Sequence, residues 1–230
     1  MAGTVIDQAQ ETLAYFRDTF SLDVGQRVVE IPNRGRQHLP QWFNDLGFRC
    51  GVEVGTESGA YAETICQAMP GVHLTCVDLW QPYIGYRDHV SAKHLEGFYE
   101  ETQRRLAPYQ VTIIRDWSVS AAAQFEDESL DFVYIDGNHS LPHVIGDLAA
   151  WSQKVRRGGI VSGHDYARHR WPNLMHVEQG IGAWVDAYDI RPLFLIGRKQ
   201  EIPGEIRDGA RSWFFVASPR PAWRKGKIKQ

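Results

Sequence analysis

Apolar positions along the chain switch repeatedly between two spacings: short unbroken runs, and recurrences every three to four residues. The runs 51–54, 72–77, 111–114, 131–135 and 159–163 predict buried strands, each too short and too rich in β-branched residues for a helix. Between them Tyr61, Ile65 and Met69, then Leu95, Phe98, Tyr99, Thr102 and Leu106, then Leu141, Val144, Ile145, Leu148 and Trp151 recur at helical spacing. Strands alternating with helices predict an α/β fold with a parallel sheet covered on both faces. Val5, Ala9, Leu13, Phe16 and Phe20 predict a helix before the first strand. Ile31 to Gly47 reads as a loop followed by a short helix carrying Trp42, Phe43 and Leu46. Val177, Ile181, Trp184 and Val185 predict a late helix, and 192–196 and 213–217 predict two final strands, paired antiparallel at the sheet's edge.

The polar residues at the strand ends carry the chemistry. The first run ends as Glu53-Val54-Gly55-Thr56-Glu57-Ser58-Gly59 and passes into a helix, a strand, glycine turn and helix in succession. Such a turn suits a ligand approached closely by backbone. Its glycines do not form G-x-G-x-x-G, it has no Lys-Ser/Thr, and Glu53 would repel phosphate. A positively charged ligand without phosphate fits better, and S-adenosylmethionine (SAM) is one. The plainer alternative is a turn whose glycines serve only sterics. Asp78 ends the second strand roughly 20 residues after the turn, where an acid commonly accepts from ribose hydroxyls. Leu79 to Tyr86 forms an aromatic loop beyond it, a lid or simply packed rings. Asp116, Trp117 and Ser118 follow the third strand, placed to receive an adenine ring, unless Ser118 only caps the next helix.

The fourth strand ends on Asp136, with His139 three residues on, and the fifth ends on His164 and Asp165. Parallel strands deliver all four to one end of the sheet, where ligands of open α/β sheets bind. Two carboxylates with imidazoles suit a divalent cation, and His139 suits a general base. Asn33, Arg34 and Arg36 are read as solvated loop residues. Arg168 and Arg170 are candidates to meet an acidic or hydroxylated substrate.

Composition narrows the setting. Hydrophobic residues make up 43% and charged residues 23%, ordinary globular usage, and 230 residues predict one domain spanning 1–230, with 1–46 as a helical cover and 218–230 as a basic tail. No apolar run reaches a membrane span and no signal-peptide pattern opens the chain, so a soluble, cytoplasmic protein is expected. The net charge of −3 offers no attraction for nucleic acid. Cys50, Cys66 and Cys76 have neither zinc spacing nor a disulfide pattern. A homo-oligomer is compatible with all of this.

The ordered set G-V-E-V-G-T-E-S-G, V-D-L-W, D-F-V-Y-I-D-G-N-H-S and R-R-G-G-I-V-S-G-H-D-Y resembles the class I SAM-dependent methyltransferases, and most of all their metal-dependent small-molecule and sugar O-methyltransferases. The resemblance spans about Leu46 to Tyr166. It implies a doubly wound, mostly parallel, seven-stranded Rossmann-like sheet with helices on both faces and the last strand antiparallel. It also implies O-methylation of a hydroxylated small molecule, a sugar or a vicinal diol. Glu53, Gly55, Thr56 and Gly59 would form the cofactor turn. Asp78 and Leu79 would hold the ribose, Asp116, Trp117 and Ser118 would lie by the adenine, and Asp136 would border the cofactor. Asp136 and Asp165 would hold a cation, magnesium or manganese, with His164 as a further ligand, and His139 would be the base working beside Asp136. The family pattern usually places a carboxylate where His164 stands; this departure either softens the site toward manganese, iron or zinc or points to no metal at all. Two other readings remain: a non-haem metal oxygenase built on His139, His164 and an aspartate, and a SAM-binding protein without catalysis.

Overall fold

A computed structural model describes residues 7–83, 91–168 and 175–218. Val5, the loop residues Ile84, Gly85 and Tyr86, Arg170 and the basic tail lie outside the described residues. Among the described residues, eight strands form one sheet: β1 Val28–Ile31, β2 Cys50–Val54, β3 His73–Asp78, β4 Val111–Arg115, β5 Leu130–Ile135, β6 Val155–Gly163, β7 Leu193–Ile196 and β8 Trp213–Val216. Their order is β1-β7-β8-β6-β5-β2-β3-β4. All pairings are parallel except those of β8 with β6 and β7. The antiparallel last strand agrees with the sequence reading, but β8 inserts between β6 and β7 and does not close the edge.

The sheet has eight strands, not seven. The extra one, β1, pairs parallel with β7 through Val29↔Phe194. It alternates buried Val29 and Ile31 with Val28 and Glu30, and Pro32 follows at once. Four residues of alternation beside a proline carry too little pattern to outweigh the loop signals around them.

Among the described residues, seven α-helices cover both faces: α1 Gln8–Phe20, α2 Leu39–Asp45, α3 Ala60–Ala68, α4 Ala92–Leu106, α5 Ser118–Ala122, α6 Leu141–Trp151 and α7 Val177–Ala187. Asp7 caps α1 by accepting the Ala9 N–H at 3.1 Å. The fully buried Phe16 then packs α1 against the sheet, 4.7 Å from the Phe214 ring and 5.3 Å from Phe194. Residues of α1, α2, α3 and α4 make one core layer, and those of α5, α6 and α7 make the other. No described helix is long and apolar enough to cross a membrane. All three cysteines are free thiols.

Strand order reverses at β2, which has β3 on one side and β5 on the other. Chains leaving the carboxyl ends of β2 and β5 therefore diverge to opposite faces and leave a crevice between them. The ladder continues one step past the strands: the Asp136 N–H donates to Val54 O at 2.8 Å, and the His164 N–H donates to Ile135 O at 3.1 Å. These bonds bring Gly55, Asp136 and His164 side by side.

Candidate active site

A cavity of about 270 Å³ occupies this crevice. Gly55 and Glu57 from the glycine turn, Asp78 and Leu79 after β3, Asp116, Trp117 and Ser118 after β4, and Asp136, Gly137, Asn138 and His139 after β5 line it. Asp78 accepts the backbone N–H of Glu57 at 2.9 Å through Oδ2 and that of Trp80 at 3.0 Å through Oδ1. Burial pushes the Asp78 carboxyl above its ordinary range, against these bonds. Glu57 and Trp80 both adopt the left-handed conformation, with φ of 51° and 45°. Their strain is held by Trp80 Nε1 and the Thr102 hydroxyl, which donate to Glu57 O at 2.7 and 2.8 Å.

Gly55 has φ of +86°, and a Cβ there would run into the carbonyl of Asp136 and the Gly137 nitrogen. The glycine is thus required by the neighbouring strand end as well as by the turn. Gly59, at +75°, lies against Thr102. Glu53, Thr56 and Gly59 are absent from the cavity wall. Glu53 pairs in register with Cys76 and Tyr134, so the strand's alternation turns it to the α3 face. Full burial there raises its carboxyl to about 8, against the pull of Thr56. This corrects the expectation of a negative charge at the turn: Glu53 keeps its proton at neutral pH.

The aromatic loop divides. Trp80 is buried, 5.0 Å from the Tyr99 ring, and also lines the cavity. Tyr83 faces the cavity 4.7 Å from Trp117, and its hydroxyl accepts from Asn138 Nδ2 at 3.0 Å. Trp117 is 45% exposed, an aromatic face open to a ligand. Ser118 opens α5 but does not cap it. Its hydroxyl donates to Asp147 Oδ1 at 2.5 Å and accepts from Trp151 Nε1 at 2.8 Å. Asp147 is a site residue that the sequence reading missed. It is buried on α6, lines the cavity, and burial raises it to about 7 against the Ser118 bond. The signal was an acid in the apolar stripe of Val144, Leu148 and Trp151.

Beside the cavity, Asp136, His139 and Asp165 bring one donor atom each within 4.8 Å of one another. His139 Nε2 is 3.0 Å from Asp165 Oδ2 and 3.7 Å from Asp136 Oδ1. Burial lowers the His139 pKa, but these two acids outweigh it and push it up to about 9. His164 is likewise pushed to about 9 by Asp165 and Asp208 against burial. Burial favours a neutral Asp165, yet the two imidazoles hold it well below the usual carboxylate range. Asp165 has φ of 54°, a left-handed residue whose turn brings its carboxylate back to both rings. His164 stands where the sequence placed it, but its Nε2 is turned to Asp208 Oδ1 at 3.1 Å. Its Nδ1 lies 3.6 Å from Asp165 Oδ2 and 3.9 Å from Asp136 Oδ2. The close donor set, Asp136, His139 and Asp165, holds two carboxylates and one histidine, and His164 Nδ1 stands just outside it. Arg36 is not merely solvated: its Nη1 is 3.3 Å from Asp136 Oδ2, and its guanidinium lies over the Tyr61 ring at 5.2 Å.

A glycine turn, a strand-end acid and a crevice at the strand reversal, with no phosphate-binding loop, define a Rossmann-like methyltransferase architecture. A family model described as a methyltransferase domain matches residues 52–166, half of the chain, and the protein belongs to that family. No curated protein matches the sequence. Among solved structures the fold is similar to an O-methyltransferase from Bacillus cereus in complex with SAH, at 14% identity, TM-score 0.55 and 93% of both chains. It is also similar to TomG from Streptomyces achromogenes, an O-methyltransferase involved in tomaymycin synthesis and solved with SAM. That match has 14% identity, TM-score 0.56, and covers 93% of this chain and 90% of TomG. The N-methyltransferase NodS from Bradyrhizobium japonicum shares the fold at 14% identity and TM-score 0.51, over 80% of this chain and 95% of NodS. Fold alone therefore does not choose the atom that receives the methyl group.

Proposed function

We propose that the protein transfers a methyl group from SAM to a hydroxyl of a small molecule, a sugar or a vicinal diol, with help from a divalent cation. The observation that carries the cofactor is the charge of the cavity. Glu57, Asp78, Asp116, Asp136 and Asp147 line it against the imidazolium of His139, and among the described residues no lysine or arginine does. Such a wall repels a dinucleotide's phosphates and suits a ligand bearing a sulfonium, an ammonium and a ribose diol. Asp78 keeps lone pairs for ribose hydroxyls beyond its two backbone bonds, and Trp117 offers a face for the adenine. Oxygen is proposed as the acceptor atom because the two strand-end acids and the imidazoles beside them suit a hydroxyl held on a cation and relieved of its proton.

SAM supplies a methyl group already activated on sulfur, and a divalent cation would supply Lewis acidity at the acceptor oxygen. The donor chemistry fits the cation: Asp136 and Asp165 offer hard oxygens, and an imidazole stands within reach on either side. The acids already attract positive charge, which is why both imidazoles are raised. Asp136 and Asp165 would hold the cation, with His164 Nδ1, 3.9 and 3.6 Å from them, as the third ligand in place of the closer His139. With a cation paired to the two acids, His139 would release its proton to solvent, and its neutral Nε2 would be placed to take the acceptor's proton. The crevice between β2 and β5 aligns acceptor and cofactor so that the hydroxyl oxygen attacks in line, a gain of proximity.

Calorimetry with SAM, SAH and NAD tests the cofactor. Micromolar or tighter binding of SAM and SAH is expected. Binding of NAD in place of both would overturn the reading. Mass spectrometry over a panel of sugars, catechols and amines then tests the acceptor, where a 14 Da gain confined to amines would refute O-methylation.

A further inference from the structure

We propose that Asp208 is a positioning residue that sets the edge of the His164 ring presented to the Asp136–Asp165 pair. Asp208 lies between β7 and β8, in a connection whose burial is inverted. Its apolar residues Ile202 and Ile206 are exposed, whereas the Asp208 side chain is only 7% exposed. Burying a carboxylate is costly unless it is fully engaged. Asp208 is engaged on both oxygens: Oδ2 accepts the Ser212 hydroxyl at 2.8 Å and the Arg36 backbone N–H at 3.0 Å, and Oδ1 faces His164 Nε2 at 3.1 Å. Two donors from separate segments stop the carboxylate from rotating, so its remaining oxygen has one direction to face.

A ring tied through Nε2 must present Nδ1 on its other edge. Nδ1 does point at the acid pair, 3.6 and 3.9 Å from Asp165 and Asp136, too far for hydrogen bonds. The Trp213 indole N–H donates to His164 O at 3.0 Å and holds the backbone beneath the ring. A carboxylate on the far nitrogen of an imidazole is the arrangement that orients histidine ligands, and its loss typically weakens metal binding by roughly 10- to 100-fold. His139 has no comparable anchor among the described residues: the acids its Nε2 meets are Asp136 and Asp165 themselves. Asp208 thereby marks His164 as the ligand and leaves His139 for the proton.

The inference rests on the cation centre proposed above, and one arm of its test does not. In protein carrying ¹⁵N-histidine, with His164 assigned by loss of its signal in His164→Gln, a slowly exchanging Nε2–H is expected in the wild type. Asp208→Asn, whose amide oxygen still accepts, should keep that signal, and Asp208→Ala should abolish it. Manganese affinity, measured by electron paramagnetic resonance on the cofactor-free protein, should fall roughly 10- to 100-fold in Asp208→Ala. In a His164→Ala background the same change should have no effect. An unaltered His164 ring signal in Asp208→Ala, or an equal manganese loss with and without His164, would overturn the proposal. If the wild type holds no manganese, the ring signal alone decides. Failure of SAM binding would sink the cofactor reading and leave these spectra unchanged.

Discussion

Gly55 packs its α-carbon against the peptide that joins Asp136 to Gly137, so the turns leaving β2 and β5 touch where the strand order reverses. Neither backbone can yield to a side chain, and Gly55 also sits at φ of +86°. Gly55→Ala is expected to lose about 1–3 kcal/mol of stability through overpacking and strain, and to lose SAM affinity as the two turns part. Gly47 is the control: it too is left-handed, at +74°, but a Cβ added there would meet nothing within 4 Å. Gly47→Ala should cost only the strain of its left-handed backbone, about 1–2 kcal/mol, and leave the affinity intact. Equal urea midpoints and equal affinities for the two variants would refute the role given to Gly55.

Asp147 should make cofactor affinity depend on pH. Burial raises its carboxyl to about 7, so it ionises across the neutral range, and it lines the cavity of a ligand that brings donors and positive charge. The charged form grows as pH rises, so SAM should bind more tightly at pH 8 than at pH 6, by up to about tenfold. Asp147→Asn should flatten that dependence. Calorimetry at both values checks it, and a slope that survives in Asp147→Asn assigns the effect to another group.

The elements that formed the expected site were legible because each is announced locally: an apolar run, then an acid, then a glycine or a helix start. Asp78, Asp136 and Asp165 were found in this way, and the parallel sheet then brought them to one end. What was missed depends on side-chain direction or on long-range contact. Glu53 follows the pleat to the opposite face, which its place in the motif conceals. Arg36 and Asp208 reach the site from connections that carry no period at all, and they meet only because β1 and β8 flank β7. Asp147 left a trace as a polar break in an apolar stripe, but nothing in the stripe says that its oxygen meets Ser118.

Glu53 should lower stability as pH rises. Its folded pKa, about 8, lies above the ordinary 4.5, so between these values the folded state binds more protons than the unfolded chain. Stability then falls with pH across that window and levels off above it. Glu53→Gln keeps the neutral shape without the titration. Its melting temperature should exceed that of the wild type at pH 8.5 by more than at pH 5. A constant difference between the two proteins across that range would show that Glu53 ionises outside it.

Removing the cation should abolish most turnover while sparing cofactor binding. Asp136 and Asp165 are the acids on which the proposed centre depends, and the Asp165 carboxylate meets His139 and His164. Exhaustive chelation, or Asp165→Asn, is expected to lower turnover at least tenfold with SAM affinity changed less than threefold, magnitudes in line with the loss of a Lewis acid. Full turnover after chelation, with no metal found by elemental measurement, would leave the acids as partners of the imidazoles alone.

His139 is the group assigned to move the acceptor's proton, and its environment dictates how that should appear in a pH profile. Burial disfavours the imidazolium, but Asp136 and Asp165 prevail and raise its pKa to about 9. Below that value, in protein without a cation, His139 is already protonated and cannot accept a proton. Turnover of chelated protein should therefore climb with pH toward 9. Manganese on the same acids opposes the imidazolium and should move the rising limb to lower pH. His139→Ala should lower turnover by roughly two to four orders of magnitude, the usual worth of a positioned base, and should erase the rising limb with SAM affinity nearly unchanged. A catechol acceptor, already acidified on a cation, should lose less than a sugar alcohol. If His139→Ala keeps the wild-type rate and the same pH limb on a sugar alcohol, the proton leaves by another route and His139 serves only to neutralise Asp136 and Asp165.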